Sequence, residues 1–337
     1  LVFRTPGMHP GNPAIAKLQE QGAEITSEME VFFEVCPCTK IAVTGSDGKT
    51  TTTTLVSEML KAAGHKVWLG GNIGTPLLPM VADMTEQDFA VVELSSFQLH
   101  MMKKSPFAAA ITNVSPNHLN WHTDMEEYIA AKAKILDGCG RAVLNYENEV
   151  TRNLARTAGC PVTLFSHNSI PDEELRAGDS AVYEKDGAIV FRARGEEEFP
   201  LLQVSDILLP GRHNVENYMA AIAAVRGYAG PEEITAVAKT FRGVRHRLEL
   251  VREMGGVAYY NGSIDSSPTR TAAALNAMGN RSLVLICGGY DKQIPFAPLA
   301  DALQKHADKG LASKAPDGRW YLTPQGFLVS NTIITDL

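Results

Sequence analysis

The chain has 337 residues, 45% of them hydrophobic and 20% charged, with a formal net charge of −7; that is enough for two or three domains with conventional cores. The acidic balance excludes a nucleic acid or an anionic membrane as the expected partner, so a negatively charged substrate needs locally placed cations. No apolar run reaches the ~18 residues of a membrane span, and the five cysteines lack the C-x-x-C spacing of a zinc or redox site, so reduced, packed thiols in a cytoplasmic, monomeric protein are expected.

The chain starts Leu1-Val2-Phe3-Arg4-Thr5-Pro6-Gly7, with neither an initiator methionine nor a signal-peptide pattern, and is expected to begin inside a longer protein. Residues 1–37 are punctuated by Pro and Gly, with one helical stretch near Pro13 to Gln21. Lys40 to Thr44 (KIAVT) reads as a short buried strand running into a glycine turn, and Thr50 to Ala63 has helical spacing. Strands follow at Phe89 to Leu94, Ala108 to Asn113, Ala142 to Leu144 and Val162 to Phe165, with a helix over Asp124 to Leu136. Ser180 to Phe199 carries two alternating segments around Asp186-Gly187, a hairpin signal, and Asn214 to Tyr228 is a helix rich in Ala and Met. A second α/β unit starts near Val244, with strands at Val257 to Tyr260 and Leu283 to Cys287 and a helix over Thr269 to Met278. Strands alternating with helices imply an α/β fold built on a doubly wound, P-loop-type parallel sheet, with a smaller Rossmann-like unit after it.

The strongest chemical signal is Thr44-Gly45-Ser46-Asp47-Gly48-Lys49-Thr50-Thr51-Thr52. A glycine turn between a buried strand and a helix aims backbone N–H groups and the positive helix end at a phosphate. Lys49 would neutralise β- and γ-phosphate charge, and Thr50 would offer its hydroxyl to Mg²⁺. The spacing is two residues shorter than the common G-x-x-x-x-G-K-[ST]. Glu93 stands at the carboxyl end of a strand, where α/β sheets place ligands and where a carboxylate suits a hard cation.

The short loop resembles that of the Mur ligase and folylpolyglutamate synthase superfamily, and the resemblance to the Mur ligase family extends over roughly residues 1–303. It rests on Gly70-Gly71-Asn72-Ile73-Gly74-Thr75-Pro76, Glu93-Leu94-Ser95-Ser96-Phe97-Gln98-Leu99, Thr112-Asn113 through Asn117-His118-Leu119, Leu209-Pro210-Gly211-Arg212-His213-Asn214, His246-Arg247-Leu248-Glu249 and Gly288-Gly289-Tyr290-Asp291-Lys292. The E-L-S-S-F-Q-L segment is typical of the branch that adds D-glutamate to UDP-N-acetylmuramoyl-L-alanine. The resemblance implies ATP held by Gly45, Ser46, Asp47, Gly48, Lys49, Thr50 and Thr51, with Asn72 beside the phosphate and acyl substrate. Asn214 and Asn217 would lie near the adenine, Asn214 also capping its helix, and Arg247 would lie on the phosphates. It implies Mg²⁺ ligated by Thr50, Glu93, His118 and a carbamylated Lys132. Lys49, Glu93, His118, Lys132 and Lys292 are the expected catalytic residues, Lys292 pairing with a carboxylate of the incoming amino acid.

The implied domains are a remnant of a UDP-binding domain over 1–37, an ATP-binding domain over 38–243 and a C-terminal domain over 244–337, native-like to about 303. Departures from the pattern are Asn120 and Gly262, each where the family has Asp, Asp265 in place of a usual Ala, and the segment from Asp317 to Phe327. That segment does not align with the ligases and faintly resembles the end of a radical-SAM coproporphyrinogen-oxidase-like protein. A folylpolyglutamate synthase-like ligase and a non-catalytic nucleotide-binding remnant stand as alternatives.

Overall fold

The computed structural model describes residues 1–244, 246, 248–263, 268–278, 284–286, 297, 299, 301, 304, 308, 312–314 and 320–322. Arg247, Asp265, Lys292 and the Asp317 to Arg319 and Thr323 to Phe327 stretches therefore lie outside the described residues. The chain divides into two compact units, Leu1–Leu208 with His213–Phe241, and Leu209–Arg212 with Arg242–Leu337.

The first unit opens on a two-stranded parallel pair, β1 (Val2–Phe3) with β2 (Ile25–Thr26), around the helix α1 (Pro13–Glu20). Asn12 caps α1 by accepting from Ala14 N at 2.9 Å, with Pro13 at the first helical position, where a missing N–H costs nothing. Ser27 likewise caps α2 (Glu28–Val35), whose Phe32 and Phe33 enter the core. There follow β3 (Thr39–Thr44), α3 (Lys49–Ala62), β4 (Val67–Gly71), β5 (Phe89–Glu93), α4 (Ser96–Leu99), β6 (Ala108–Ile111), α5 (Met125–Ala133), β7 (Arg141–Asn145), α6 (Glu149–Thr157) and β8 (Val162–Ser166). The unit ends with β9 (Ser180–Lys185), β10 (Ala188–Ala193), β11 (Phe199–Gln203), α7 (Arg212–Ala224) and α8 (Pro231–Thr240).

One nine-stranded sheet runs β11-β10-β9-β8-β7-β6-β3-β5-β4. Its pairs are parallel from β4 through β9 and antiparallel from β9 to β11. Every residue of β5, β6 and β8 is buried, the mark of a parallel sheet covered on both faces. The core alternates across these strands, with Ala42, Val92, Ala109, Ile111 and Leu144 in one continuous apolar cluster together with Phe32, Leu99 and Tyr128. Strand order reverses at β3, which has β5 on one side and β6 on the other. That switch point opens a crevice at the carboxyl ends of the strands.

At the opposite, amino-terminal rim the side chain of Asp88 accepts from Trp68 Nε1 at 2.8 Å and from Thr85 Oγ1 at 2.9 Å, and lies 3.4 Å from Lys66 Nζ. Its backbone oxygen accepts from Thr39 N at 3.1 Å. β9 and β10 meet in a tight turn in which Asp186 and Gly187 both have positive φ, 49° and 77°, the two-residue geometry that matches strand twist. β11, with Pro200 inside it, pairs with β10 alone, the edge position a proline tolerates.

Several of these elements differ from the sequence reading. The helix expected over Asn214 to Tyr228 begins at Arg212, so Asn214 sits in its first turn instead of capping it. β4, α2, α6, α8 and β11 are additional elements. Among the described residues of the second unit, β12 (Glu249–Met254) and β13 (Val257–Asn261) form an antiparallel pair, followed by α9 (Pro268–Ala277). β14 (Ala312–Lys314) and β15 (Trp320–Leu322) are antiparallel as well. The expected strand over Leu283 to Cys287 is described only at 284–286, without strand structure.

Candidate active site

The glycine turn lies at the switch point, between β3 and α3. Gly45 has φ 150° and Gly48 φ 79°. A Cβ on Gly45 would stand 1.9 Å from Thr112 Oγ1, and one on Gly48 2.3 Å from Asn217 Oδ1. The turn is therefore glycine for two reasons at once, backbone conformation and close approach. Its peptide groups are held from outside. Asp47 N donates to Asn113 Oδ1 at 3.0 Å, Thr112 Oγ1 donates to Asp47 O at 2.5 Å, and Ser46 N donates to Asn113 O at 2.9 Å. Ser46 Oγ donates to Ser115 O and lies 2.9 Å from Tyr128 Oη. Lys49 Nζ donates to Gly45 O and Ser46 O, each at 3.0 Å, so it folds back over the turn.

α3 starts at Lys49 and is a run of threonines, poor helix formers. Thr53 and Thr54 donate their hydroxyls to the carbonyls of Lys49 and Thr50 at 2.7 Å, an i−4 bond that lets the run stay helical. Thr50 Oγ1 donates to Glu93 Oε2 at 2.7 Å, and Asn72 Nδ2 donates to Glu93 Oε1 at 2.9 Å. Glu93, 1% exposed, is thus gripped from both oxygens by residues of two different motifs. Gly71, φ 100°, explains how: its missing Cβ would meet Glu93 O at 2.2 Å, and Asn72 N donates to that same oxygen at 2.8 Å. On the far side of α3, Thr52 Oγ1 donates to Asn217 Oδ1 at 3.3 Å, and Asn217 Nδ2 donates to Asn214 Oδ1 at 3.2 Å. Thr51 is buried in the first turn of the same helix.

Lys132, from α5, is 1% exposed. Its Nζ donates to Gly45 O at 2.7 Å and to Thr44 Oγ1 at 3.4 Å, and lies 4.7 Å from the centre of the Tyr128 ring. Burial first, then the charge of Lys49, hold its amine well below the usual lysine range. A solvated helix lysine is thereby excluded. His118 is exposed, with φ 56° and its ring edge-on to Phe97 at 4.9 Å. Ser95 and Gln98 of the E-L-S-S-F-Q-L segment form a capping box for α4, Ser95 N donating to Gln98 Oε1 at 2.9 Å, so that much of this motif is helix-starting chemistry.

The arrangement brings Lys49, Thr50, Asn72, Glu93, Lys132 and Asn217 around one turn. Sequence reading gave no role to Thr112, Asn113 and Ser115 and did not single out Tyr128, all of which shape it. The Thr112-Asn113 pair at the end of β6 was the available signal, since residues there face the crevice beside β3.

The comparisons with known proteins fall on the same residues. The model of the Mur ligase middle domain matches residues 43–225. The UDP-N-acetylmuramoylalanine–D-glutamate ligase of Acetivibrio thermocellus is 51% identical over 306 residues, 90% of this chain and 64% of that protein. The protein of the same name from Ruminiclostridium cellulolyticum is 47% identical over 307 residues, with the same coverage. The chain thus spans about two thirds of the length of these curated relatives. Among solved structures, UDP-N-acetylmuramate-alanine ligase MurC from Thermotoga maritima superposes with a TM-score of 0.60 at 21% identity, over 90% of this chain and 69% of that one. MurF from Acinetobacter baumannii gives 0.55 at 19% identity, over 74% and 55%. With a short glycine turn at the switch of a doubly wound sheet, and a middle-domain match over more than half its length, the chain belongs to the Mur ligase family.

Proposed function

We propose that the chain is an ATP-dependent acid–amino-acid ligase that joins D-glutamate to UDP-N-acetylmuramoyl-L-alanine through an acyl phosphate, in peptidoglycan precursor synthesis. The observation that carries this is the link from Thr50 through Glu93 to Asn72 beneath the glycine turn, with the buried amine of Lys132 against the same turn. The printed names of the two relatives at 51% and 47% identity support the choice of substrates. Residues 38–243 act as the ATP-binding domain, 1–37 as the end of a UDP-binding domain and 244–337 as the C-terminal domain. The setting is the cytoplasm, where ATP is present; no helix among the described residues is long and apolar enough to cross a membrane. The protein acts as a monomer.

Mg²⁺ takes hard oxygen donors, and Thr50 Oγ1 and Glu93 Oε2, 2.7 Å apart, are such donors; the residues present suit the ion. Thr50, Glu93, His118 and Lys132 would hold it, and it would supply neutralisation of charge at the β- and γ-phosphates. An uncharged buried amine is the form that adds to carbon dioxide. Lys132 Nζ would form the N–C bond to the carbon of carbon dioxide, one C=O π pair would move onto oxygen, the nitrogen would lose a proton to water, and the neutral amine would become an anionic oxygen donor.

The triphosphate lies over Gly45 to Thr51, met by backbone N–H groups and the start of α3. Lys49 exchanges its two carbonyl partners for phosphate oxygens. The substrate carboxylate, positioned beside Asn72, attacks the γ-phosphorus in line, and ADP leaves. The amine of D-glutamate then attacks the acyl carbon, and the tetrahedral intermediate expels phosphate to leave the amide. Asn214 and Asn217 flank the adenine side. Arg247 and Lys292 are assigned from their motifs alone, Arg247 to the phosphates and Lys292 to the D-glutamate carboxylate.

The test is ADP release by the purified chain with ATP, Mg²⁺, UDP-N-acetylmuramoyl-L-alanine and D-glutamate, with the amide product weighed by mass spectrometry. Release that needs both substrates is the expected result. Nucleotide binding without ADP release in their presence would refute the ligase reading.

A further inference from the structure

We propose that His9, His100 and Glu127 form a second metal centre, for a zinc-class divalent ion, outside the phosphate-loop site. Three of the nine histidines of the chain converge on the single carboxylate of Glu127. Its Oε1 lies 2.7 Å from His100 Nε2 and 3.5 Å from His9 Nε2. These three groups can each offer one ligand atom, all within 4.8 Å of one another. The third imidazole, His122, lies 3.8 Å from Glu127 through Nδ1.

The carboxylate is aimed. Glu127 Oε2 accepts from Thr123 N at 2.6 Å and from Thr123 Oγ1 at 2.9 Å and faces His122, which leaves Oε1 to His9 and His100. Fixing a ligand oxygen through a hydrogen bond to its twin is how outer groups orient metal ligands.

A second observation points to a missing occupant. His9 Nε2, the nitrogen facing Glu127, is a buried atom without a hydrogen-bond partner, as is Nδ1 of the wholly buried His122 beside the same carboxylate. Buried polar atoms in folded proteins are paired, and orphans mark an absent water or ion. The Trp121 ring closes the cluster, 4.7 Å from His9 and 5.7 Å from His100, and its Nε1 donates to Gly7 O at 2.9 Å.

Two imidazoles and one carboxylate with a fourth position open suit zinc and its neighbours in softness, whereas Mg²⁺ prefers oxygen throughout. In the neutral ring of His9, Nδ1 accepts from Gly11 N at 3.0 Å, so Nε2 carries the proton. Binding moves that proton off Nε2, the ring takes its Nδ1–H form, and the Gly11 bond opens. The ion would tie residues 7–9 to α4 and α5.

The experiment uses the full chain, stripped with a chelator and kept in excess Mg²⁺ to fill oxygen sites, then titrated with Zn²⁺ alone and with Co²⁺ alone. Elemental analysis counts bound ions, visible absorption reports Co²⁺ geometry, and fluorescence follows Trp121. The expected result is a single tight Zn²⁺ that excess Mg²⁺ does not displace. Co²⁺ should give visible bands without a thiolate charge-transfer band and a fluorescence quench that Trp121→Phe removes. His9→Ala and His100→Gln should each weaken binding about tenfold or more. Unchanged affinity in His9→Ala, a thiolate band, or no binding at all overturns the proposal. His9 lies on an exposed loop, so its variant decides the question even where His100→Gln fails to fold. Neither outcome depends on ligase activity.

Discussion

Replacing Gly48 by alanine asks whether the glycine turn and α7 are one packed object. Two costs add. Gly48 has φ 79°, and a left-handed backbone costs an L-residue ~1–2 kcal/mol. The new Cβ would also stand 2.3 Å from Asn217 Oδ1. Asn217, buried at 5% exposure, must turn away, breaking its bonds to Thr52 and Asn214, together worth ~1–3 kcal/mol. The expected loss is about 2–5 kcal/mol. Gly187→Ala isolates the first cost, because Gly187 has φ 77° with nothing within 4 Å of its Cβ position. Urea unfolding of both variants, followed by circular dichroism, should separate them by about 1–3 kcal/mol. Equal destabilisation would refute the claim that Asn217 is locked against the turn.

Lys49→Ala should abolish ADP release while changing unfolding by no more than about 1–3 kcal/mol, since the side chain donates to two turn carbonyls; a phosphate-release assay beside a melting curve checks both. Phe32, fully buried in the main cluster, should cost about 3–5 kcal/mol when cut to alanine, read in the same urea titration. Asp88 is held at about 2 in the folded protein, chiefly by the Trp68 N–H. Its ionised form is the stabilised one, so the contribution is complete above the ordinary aspartate value near ~4 and fades as pH falls towards 2. Asp88→Asn should melt below the parent at neutral pH and converge on it near pH 2. A constant gap across that range would contradict the assignment.

The glycine turn, its threonine helix and Glu93 were legible in sequence because each lies in one short segment whose spacing is its chemistry. The link from Asn72 to Glu93 was not, since it depends on Gly71 bringing β4 against β5 across 21 positions of chain. The resemblance singled out Lys132, but nothing in its own helix shows burial, and only the packing of α5 on β3 buries it. α6 escaped notice because six of the nine residues of E-V-T-R-N-L-A-R-T are polar, leaving Val150, Leu154 and Ala155 to pack against the core. β11 was hidden by Pro200, which argues against a strand anywhere but at an edge. Asn214 was expected at a cap from its residue type alone, whereas α7 begins two residues earlier. The His9, His100 and Glu127 grouping joins three distant segments and leaves no local pattern.

The knot of Trp68, Asp88, Thr85 and Lys66 sits five residues, about 16 Å of extended strand, upstream of Glu93 on β5. Durability and the proposed turnover are thus lodged at opposite poles of the same strands. A lineage or an engineer can retune tolerance to acid or heat at one pole and leave the rate at the other untouched.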